Sequence, residues 1–338
     1  ADYQDIDPRG SQYGGIPIYN SEGGFNKMPR SFNTATKWSS WDQYTRSVFA
    51  NLERFHANDW VSKLEVSHLL NGYDASVASV AASPPNPRTG EGGSMYMGKF
   101  VGETASNAAE FYATGPFELF GRQHELVVGA NASRSNKDDF YSVAFLPQRQ
   151  NVFNPDKTIP EPDDSYFIDN SSRGGPVNSV TKQRGLYSTL RLKLADPLTL
   201  VVGSRVSWYS SDTDSDFINT GTSQHSSTKE TGQVTPFAGV LLDLNDNLTA
   251  YASYSDIFTP QGNYRSEDGS ALKPLVGQSY ELGIKGAWFD GRLNSSFNLF
   301  RTIRKDQAQT DYNSSCPSSD GYCYVNAGKV RAQGFEAE

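Results

Sequence analysis

The stretch VGQSYELGIKGAWFDGRLNSSFNLFRTIR, Val276 to Arg304, decides the fold class. Tyr280, Leu282, Ile284 and Trp288 fall on one parity, and Ser279, Glu281, Gly283, Lys285 and Ala287 on the other. Side chains of a strand alternate between its faces, so this is a strand with one apolar and one polar face. Phe289-Asp290-Gly291 supplies turn chemistry. The return run repeats the alternation, with Leu293, Phe297, Leu299 and Ile303 against Arg292, Asn294, Ser296, Asn298 and Thr302. Each run has about 12 residues, roughly twice an ordinary strand. Long amphipathic strands on a tight turn predict a hairpin with its apolar face toward lipid and its polar face toward water. Asp at Ile284 is then expected to disrupt membrane assembly, and Asp at Gly283, on the watery face, to be better tolerated.

Four more hairpins share the pattern. Arg46, Val48, Ala50 and Leu52 alternate with Ser47, Phe49, Asn51 and Glu53, and the return has Trp60, Leu64, Val66 and Leu70 against Lys63, Glu65 and Ser67. Leu126, Val128, Ala130 and Ala132 oppose Glu125, Gly129, Asn131 and Ser133. Leu186, Leu190, Leu192 and Leu194 turn at Ala195-Asp196-Pro197 into Leu198, Leu200, Val202, Val206 and Trp208. Val234, Ala238, Val240, Leu242 and Leu244 precede a turn at Asn245-Asp246-Asn247. An eleventh strand is expected to begin near Ala327. Tight turns alternate with long connections, expected at 1–40, 72–106, 136–180, 212–228, 259–275 and 305–326. Strict short–long alternation is the pattern of outer-membrane barrels. Trp60, Trp288 and Phe289 read as one aromatic girdle, and Trp208, Tyr209 and Phe258 as the other, with Tyr44 on the lipid parity.

Composition agrees with this reading. Mean hydropathy is −0.58 with 36% hydrophobic residues, and no apolar run approaches the roughly 20 residues of a membrane helix. In a transmembrane barrel only alternate residues meet lipid, so the average stays polar. A net charge of −8, with cations and anions interleaved, argues against a nucleic-acid partner. Ala1 falls in what reads as a loop and Glu338 within a strand, so the chain is expected to be an excerpt. An odd number of strands does not close a bacterial single-chain barrel, and an open edge in lipid leaves ladder groups unpaired. Heavy loops suit the plugged transporters of about 22 strands better than small barrels.

Several stretches resemble TonB-dependent ferric-siderophore receptors, in particular the ferric-coprogen and ferripyoverdine branch. They are GGIPIYNSEG (Gly14–Gly23), Trp38-Ser-Ser-Trp41 followed by SVFANLERF, LTAYASYSDIFTPQ (Leu248–Gln261), LVGQSYELGIKGAWFDGRLNSSFNLF (Leu275–Phe300) and Val325-Asn-Ala-Gly-Lys-Val-Arg-Ala-Gln-Gly-Phe-Glu. The resemblance implies an all-β transmembrane antiparallel barrel. Residues 1–338 would be part of its barrel domain, without the N-terminal plug or the final strands. It further implies the bacterial outer membrane as location, outer-membrane lipid and lipopolysaccharide as surroundings, and uptake of a ferric siderophore energised by TonB through a plug absent here. The iron would be carried as the ferric-siderophore ligand, with no cofactor of the protein's own. Alternatives are another cargo (cobalamin, haem or a glycan), a passive porin of about 16–18 strands, or a surface adhesin.

Aromatics in the long connections are the candidate ligand-binding residues: Trp38 and Trp41 as a pair, with Tyr13, Tyr19, Tyr96, Tyr141 and Tyr264, and behind them Phe25, Tyr166 and Tyr324. Flat side chains cover a bulky chelate with little rotamer entropy lost. Trp41 shares parity with Ser47, Asn51 and Glu53 and is therefore expected to face the lumen. Met95-Tyr96-Met97 reads either as an adaptable ligand surface or as a loop mini-core. The only cysteines are Cys316 and Cys323; cell-surface context favours a disulfide between them. Asp212-Thr-Asp214-Ser-Asp216 resembles the start of a calcium loop but has Phe217 where Gly belongs and Ser223 where Glu belongs, so a solvated acidic loop is expected. His56, His68, His124 and His225 lack ligand spacing, and no nucleophile motif is present, so no enzyme is expected.

Overall fold

A computed structural model describes residues 14–262, 264–315, 322–326 and 328–338, together with the backbone of 2–6. Its strands are β1 (Asp2–Ile6), β2 (Ser40–Phe55), β3 (Val61–Ala82), β4 (Gly93–Leu119), β5 (Arg122–Gln150), β6 (Arg173–Ala195), β7 (Leu198–Phe217), β8 (Thr222–Asn245), β9 (Leu248–Thr259), β10 (Leu275–Trp288), β11 (Leu293–Lys305), β12 (Ala308–Ser315), β13 (Tyr322–Asn326) and β14 (Val330–Ala337). One short helix, α1 (Asp164–Asp169), sits between β5 and β6. Twelve strands form one antiparallel meander in the order β1 to β11, then β14; β12 and β13 pair separately inside the last long connection. Neighbours in sequence are neighbours in the sheet, as in an up-and-down barrel wall.

The register assigns the faces. Leu64, Val66 and Leu52 share one face with Ala50, Phe111 and Ala109. That face continues through Val128 and Ala130 to Leu186, Val206 and Val202, and through Val240, Ala252 and Leu282 to Leu299 and Phe335. Leu52 is 69% exposed and Leu282 57%, because lipid covers this face. The opposite face is polar: Tyr187 donates to Glu110 (2.8 Å), Arg205 to Asn131 (2.9 Å) and to Ser207 (3.0 Å), and Tyr251 to Glu281. The lipid and lumen assignments of the Val276–Arg304 hairpin hold along its whole length, with Ile284 opposite Phe297 and Gly283 opposite Asn298.

Several expectations change. The strands run well past the membrane: β5 has 29 residues, about 95 Å of chain, against an apolar band of about 25 Å. The connections expected at 72–106, 136–180 and 212–228 are therefore mostly strand, reduced to 83–92, 151–172 and 218–221. The segment near Ala1 pairs with β2 rather than forming a loop, while the last wall strand, expected from near Ala327, runs from Val330. Tyr209 belongs to the lumen, opposite Gln183, whereas its neighbour Trp208 faces outward. Asp212, Asp214 and Asp216 are strand residues whose carboxylates accept from Ser227, His225 and Ser223 across the ladder, not a solvated loop. Gly283 is not open: a Cβ there would lie 2.7 Å from the ring of Tyr251, which covers it. Gly129 is covered in the same way by Tyr187.

Candidate ligand-binding mouth

The buried apolar side chains collect at one end of the sheet, beyond the long-connection side of the apolar band. Trp41 lies 14 residues from the end of β2 at Phe55, about 35 Å up a tilted strand. At this height both faces of the sheet are covered, each by its own cluster.

On the luminal face one register row reads Trp41, Ala75, Phe100, Tyr141 across β2 to β5. Ala75 is fully buried, and its small side chain lets the rings on either side meet above it. Trp41 and Phe100 stack with centroids 5.5 Å apart and planes 16° apart, and Tyr73 lies 6.1 Å from Trp41. Such pairs add about 0.5–1.5 kcal/mol beyond area burial. Above this row Val77, Val143 and Tyr96 close the cluster, and Tyr96 meets Phe145 edge-on at 5.7 Å. Below it the Asp139 carboxylate pairs with Lys137. The wall thus passes from aromatic at the mouth to charged polar groups deeper in. The indole N–H of Trp41 is buried with no hydrogen-bond partner among the described residues.

On the outward face Ala78, Val80, Met95 and Met97 pack with Val152 and Phe167. Trp38 joins this second cluster, and its indole N–H donates to the Ile159 carbonyl at 2.8 Å. The buried Ser142 hydroxyl donates to Phe167 O, which ties α1 to β5. Trp38 and Trp41 are therefore not one binding pair. Trp38 anchors the 151–172 connection outside the wall, and Trp41 faces the lumen. The Met-Tyr-Met segment splits likewise: both methionines are mini-core, while Tyr96 points inward.

The remaining candidates are dispersed. Tyr19 is half exposed and packs on Phe25 at 5.0 Å, in a turn whose amides Glu22 N and Gly24 N are capped by Asn20. Tyr264 meets Tyr324 edge-on at 4.7 Å. Beside them the Gln261 carboxamide donates to Lys273 O (2.7 Å) and Asp306 O (2.6 Å) and accepts from Ala308 N (2.7 Å), joining two connections. Asp268 holds the first of these: hydroxyls of Ser266 and Ser270 and the Ser270 amide bring its carboxyl down to about 2. Cys323 is disulfide-bonded. Tyr13 and Cys316 lie outside the described residues. Sequence reading missed Phe100 and Tyr73; their parity on the polar face of extended β3 and β4 was the available signal.

A long-stranded meander with a lipid face, a polar lumen and an aromatic mouth defines an outer-membrane β-barrel. The chain belongs to the TonB-dependent receptor family: the family model described as "TonB dependent receptor-like, beta-barrel" matches residues 1–338. It is 55% identical over 328 residues to the ferric-pyoverdine M114 receptor PbuA of Pseudomonas sp. (strain M114), covering 96% of this chain and 39% of that protein. It is 40% identical over 349 residues to the ferripyoverdine receptor of Pseudomonas aeruginosa, covering 100% of this chain and 40% of that protein. The solved pyoverdine outer membrane receptor FpvA from P. aeruginosa PAO1, bound to pyoverdine, superposes with a TM-score of 0.83 at 39% identity, over 99% of this chain and 47% of that one. The chain thus spans about two fifths of the length of the relatives it matches.

Proposed function

We propose that this chain forms part of the barrel of a receptor that takes up a ferric siderophore of the pyoverdine class, energised by TonB through a plug domain. The observation that carries this reading is the luminal row Trp41–Ala75–Phe100–Tyr141 at the barrel mouth, in a chain 55% identical to a ferric-pyoverdine receptor. A ferric siderophore is a bulky, partly apolar chelate. Preformed aromatic rings cover the apolar part without losing rotamer freedom, and the polar groups below, Asp139, Lys137 and Tyr73, meet hydrophilic parts as the cargo descends. Iron in this reading is cargo within its chelate. Outer connections capture the complex, and TonB-driven rearrangement of the plug admits it to the lumen.

The test is a titration of the purified full-length receptor with ferric pyoverdine, read by quenching of intrinsic Trp fluorescence, with cobalamin as control. Saturable quenching by the ferric siderophore alone supports the assignment. Saturation by cobalamin instead moves the protein to another cargo, and no saturation with either removes the receptor reading.

A further inference from the structure

The wall splits between β8 and β9. β8 runs Thr222–Asn245, but its pairing with β9 begins only at Phe237, opposite Ser255. Beyond that pair Asp256 to Thr259 stay with β10, opposite Gln278 to Leu275, while residues 222–236 of β8 follow β7. Among the described residues no backbone hydrogen bond joins the two separated edges. Two features of β8 account for the split. Pro236 has no N–H with which to continue a ladder. Just beyond it Thr231 and Gly232 oppose the single residue Trp208, since Ser207 pairs with Gln233 and Tyr209 with Glu230. Gly232 takes a φ of +67°, and a bulge of this kind bends its strand.

Higher up the split closes again, where the Thr228 hydroxyl donates to the Gly262 carbonyl at 3.4 Å. The result is a window in the wall. Its lower edge, Pro236, lies 9 residues from the end of β8 at Asn245. That is about 23 Å up a tilted strand, at the outer edge of an apolar band of about 25 Å. A cavity of about 460 Å³ occupies the window. Arg205, Tyr209, Thr235 and Ile257 line it from the luminal face, and Trp208 and Phe258 from the outward face. The inner lip is mostly polar and the outer lip is aromatic, at the level where such rings mark the membrane interface. Unpaired strand edges are costly beside lipid, so an empty window at this height is unfavourable.

We propose that the window takes the acyl chain of an amphiphilic ferric chelate, with the chelate in the lumen and its chain leaving sideways between Trp208 and Phe258 into the outer leaflet. The proposal rests on the reading of the cargo as a ferric siderophore and names its chemical class more narrowly. The occupant must be polar at the luminal end and apolar at the other. Arg205 is already committed to Asn131 (2.9 Å) and Ser207 (3.0 Å), so the inner lip holds no free cation that would select a lipid phosphate. The polar end is therefore held by the lumen, where the cargo resides, and only the chain lies in the window.

The full-length receptor in phosphatidylcholine nanodiscs is titrated with ferric pyoverdine and with the same chelate carrying a dodecanoyl chain, using empty nanodiscs to subtract partitioning. The wild-type protein is expected to bind the acylated form about tenfold tighter, because its chain stays in an apolar medium. Thr235→Trp fills the window from within; it is expected to lose that preference and to keep its affinity for the plain chelate. Heat-modifiable gel mobility reports folding, and Ile257→Trp, from the opposite lip, replaces a variant that does not fold. A bromine at the chain end should quench the fluorescence of Trp208, and Trp208→Phe should remove that component. Binding of the plain chelate with no preference for the acylated one overturns this proposal and leaves the cargo reading standing. A preference retained by a folded, filled variant also overturns it. Lipid retained by wild type and lost from Thr235→Trp, without any preference between the chelates, gives the window to the leaflet instead. Failure of both chelates to bind removes the cargo reading and this proposal with it.

Discussion

Trp41 stacks on Phe100 across the backbone of β3, with Ala75 the only side chain beneath the two rings in their register row. The size of Ala75 sets that approach. Ala75→Leu would drive the rings apart, and overpacking of this kind costs about 1–3 kcal/mol. We expect a folded barrel with a lower unfolding temperature and weaker siderophore binding, read by thermal melting and titration of the same sample. Unchanged binding would show that the stacked geometry is not what the cargo meets.

Gln261 and Asn326 converge on the same two carbonyls, Lys273 O and Asp306 O. Connections 260–274 and 306–329 are thereby one unit. Gln261→Ala leaves the two carbonyls to Asn326 alone and takes the acceptor from the Ala308 amide, and a buried unmade bond costs about 1–3 kcal/mol. Hydrogen exchange at Ala308 should accelerate, and the effect should reach Leu272 in the other connection. Acceleration confined to Ala308 would mean that the two segments open independently.

The face assignment is tested by a pair of substitutions on neighbouring strands, one on each face. Ile284 faces lipid close to mid-band, and an Arg there costs about 2–4 kcal/mol. Ser253 is luminal and lies opposite Glu281, so Ser253→Arg gains a neighbouring carboxylate. Membrane assembly, scored by the heat-modifiable band, should fail or fall sharply for Ile284→Arg and persist for Ser253→Arg.

Asp268 gives a pH signature outside the membrane. Its carboxyl is brought down to about 2 by the Ser266 and Ser270 hydroxyls. A carboxyl lowered in the folded state contributes order that is fully present above its ordinary value near 3.8 and is lost as pH falls through the folded value. Protection of the Ser270 amide should therefore hold from neutral pH down to about 4 and fade toward about 2. In Asp268→Asn that pH dependence should be absent.

Alternation in Val276–Arg304 was enough to read the wall, because in mid-membrane one face meets lipid and the other water. The same signal vanishes higher up. Ala75 to Val80 is buried on both faces, one under Trp41 and Phe100, the other under Val152 and Phe167, so no polar side remains to mark a strand. In β7 and β8 both faces are polar instead, and Asp212 to Asp216 read as a loop although Ser227, His225 and Ser223 pair with them. Parity alone placed Trp41 in the lumen. Trp38 lies in the turn before β2, where strand parity no longer assigns a face. The cover of Gly283 by Tyr251 is a contact between β10 and β9, and nothing within either strand's own sequence announces it.

The most direct test of the luminal mouth compares three full-length proteins for affinity toward ferric pyoverdine: wild type, Trp41→Ala and Trp38→Ala, each first shown to be a folded barrel. Loss of one aromatic anchor of about 2 kcal/mol corresponds to roughly thirtyfold in affinity. We predict that fall for Trp41→Ala and a change within about threefold for Trp38→Ala, whose ring holds only the outer connection. Wild-type affinity in Trp41→Ala, or the larger loss in Trp38→Ala, would contradict the account.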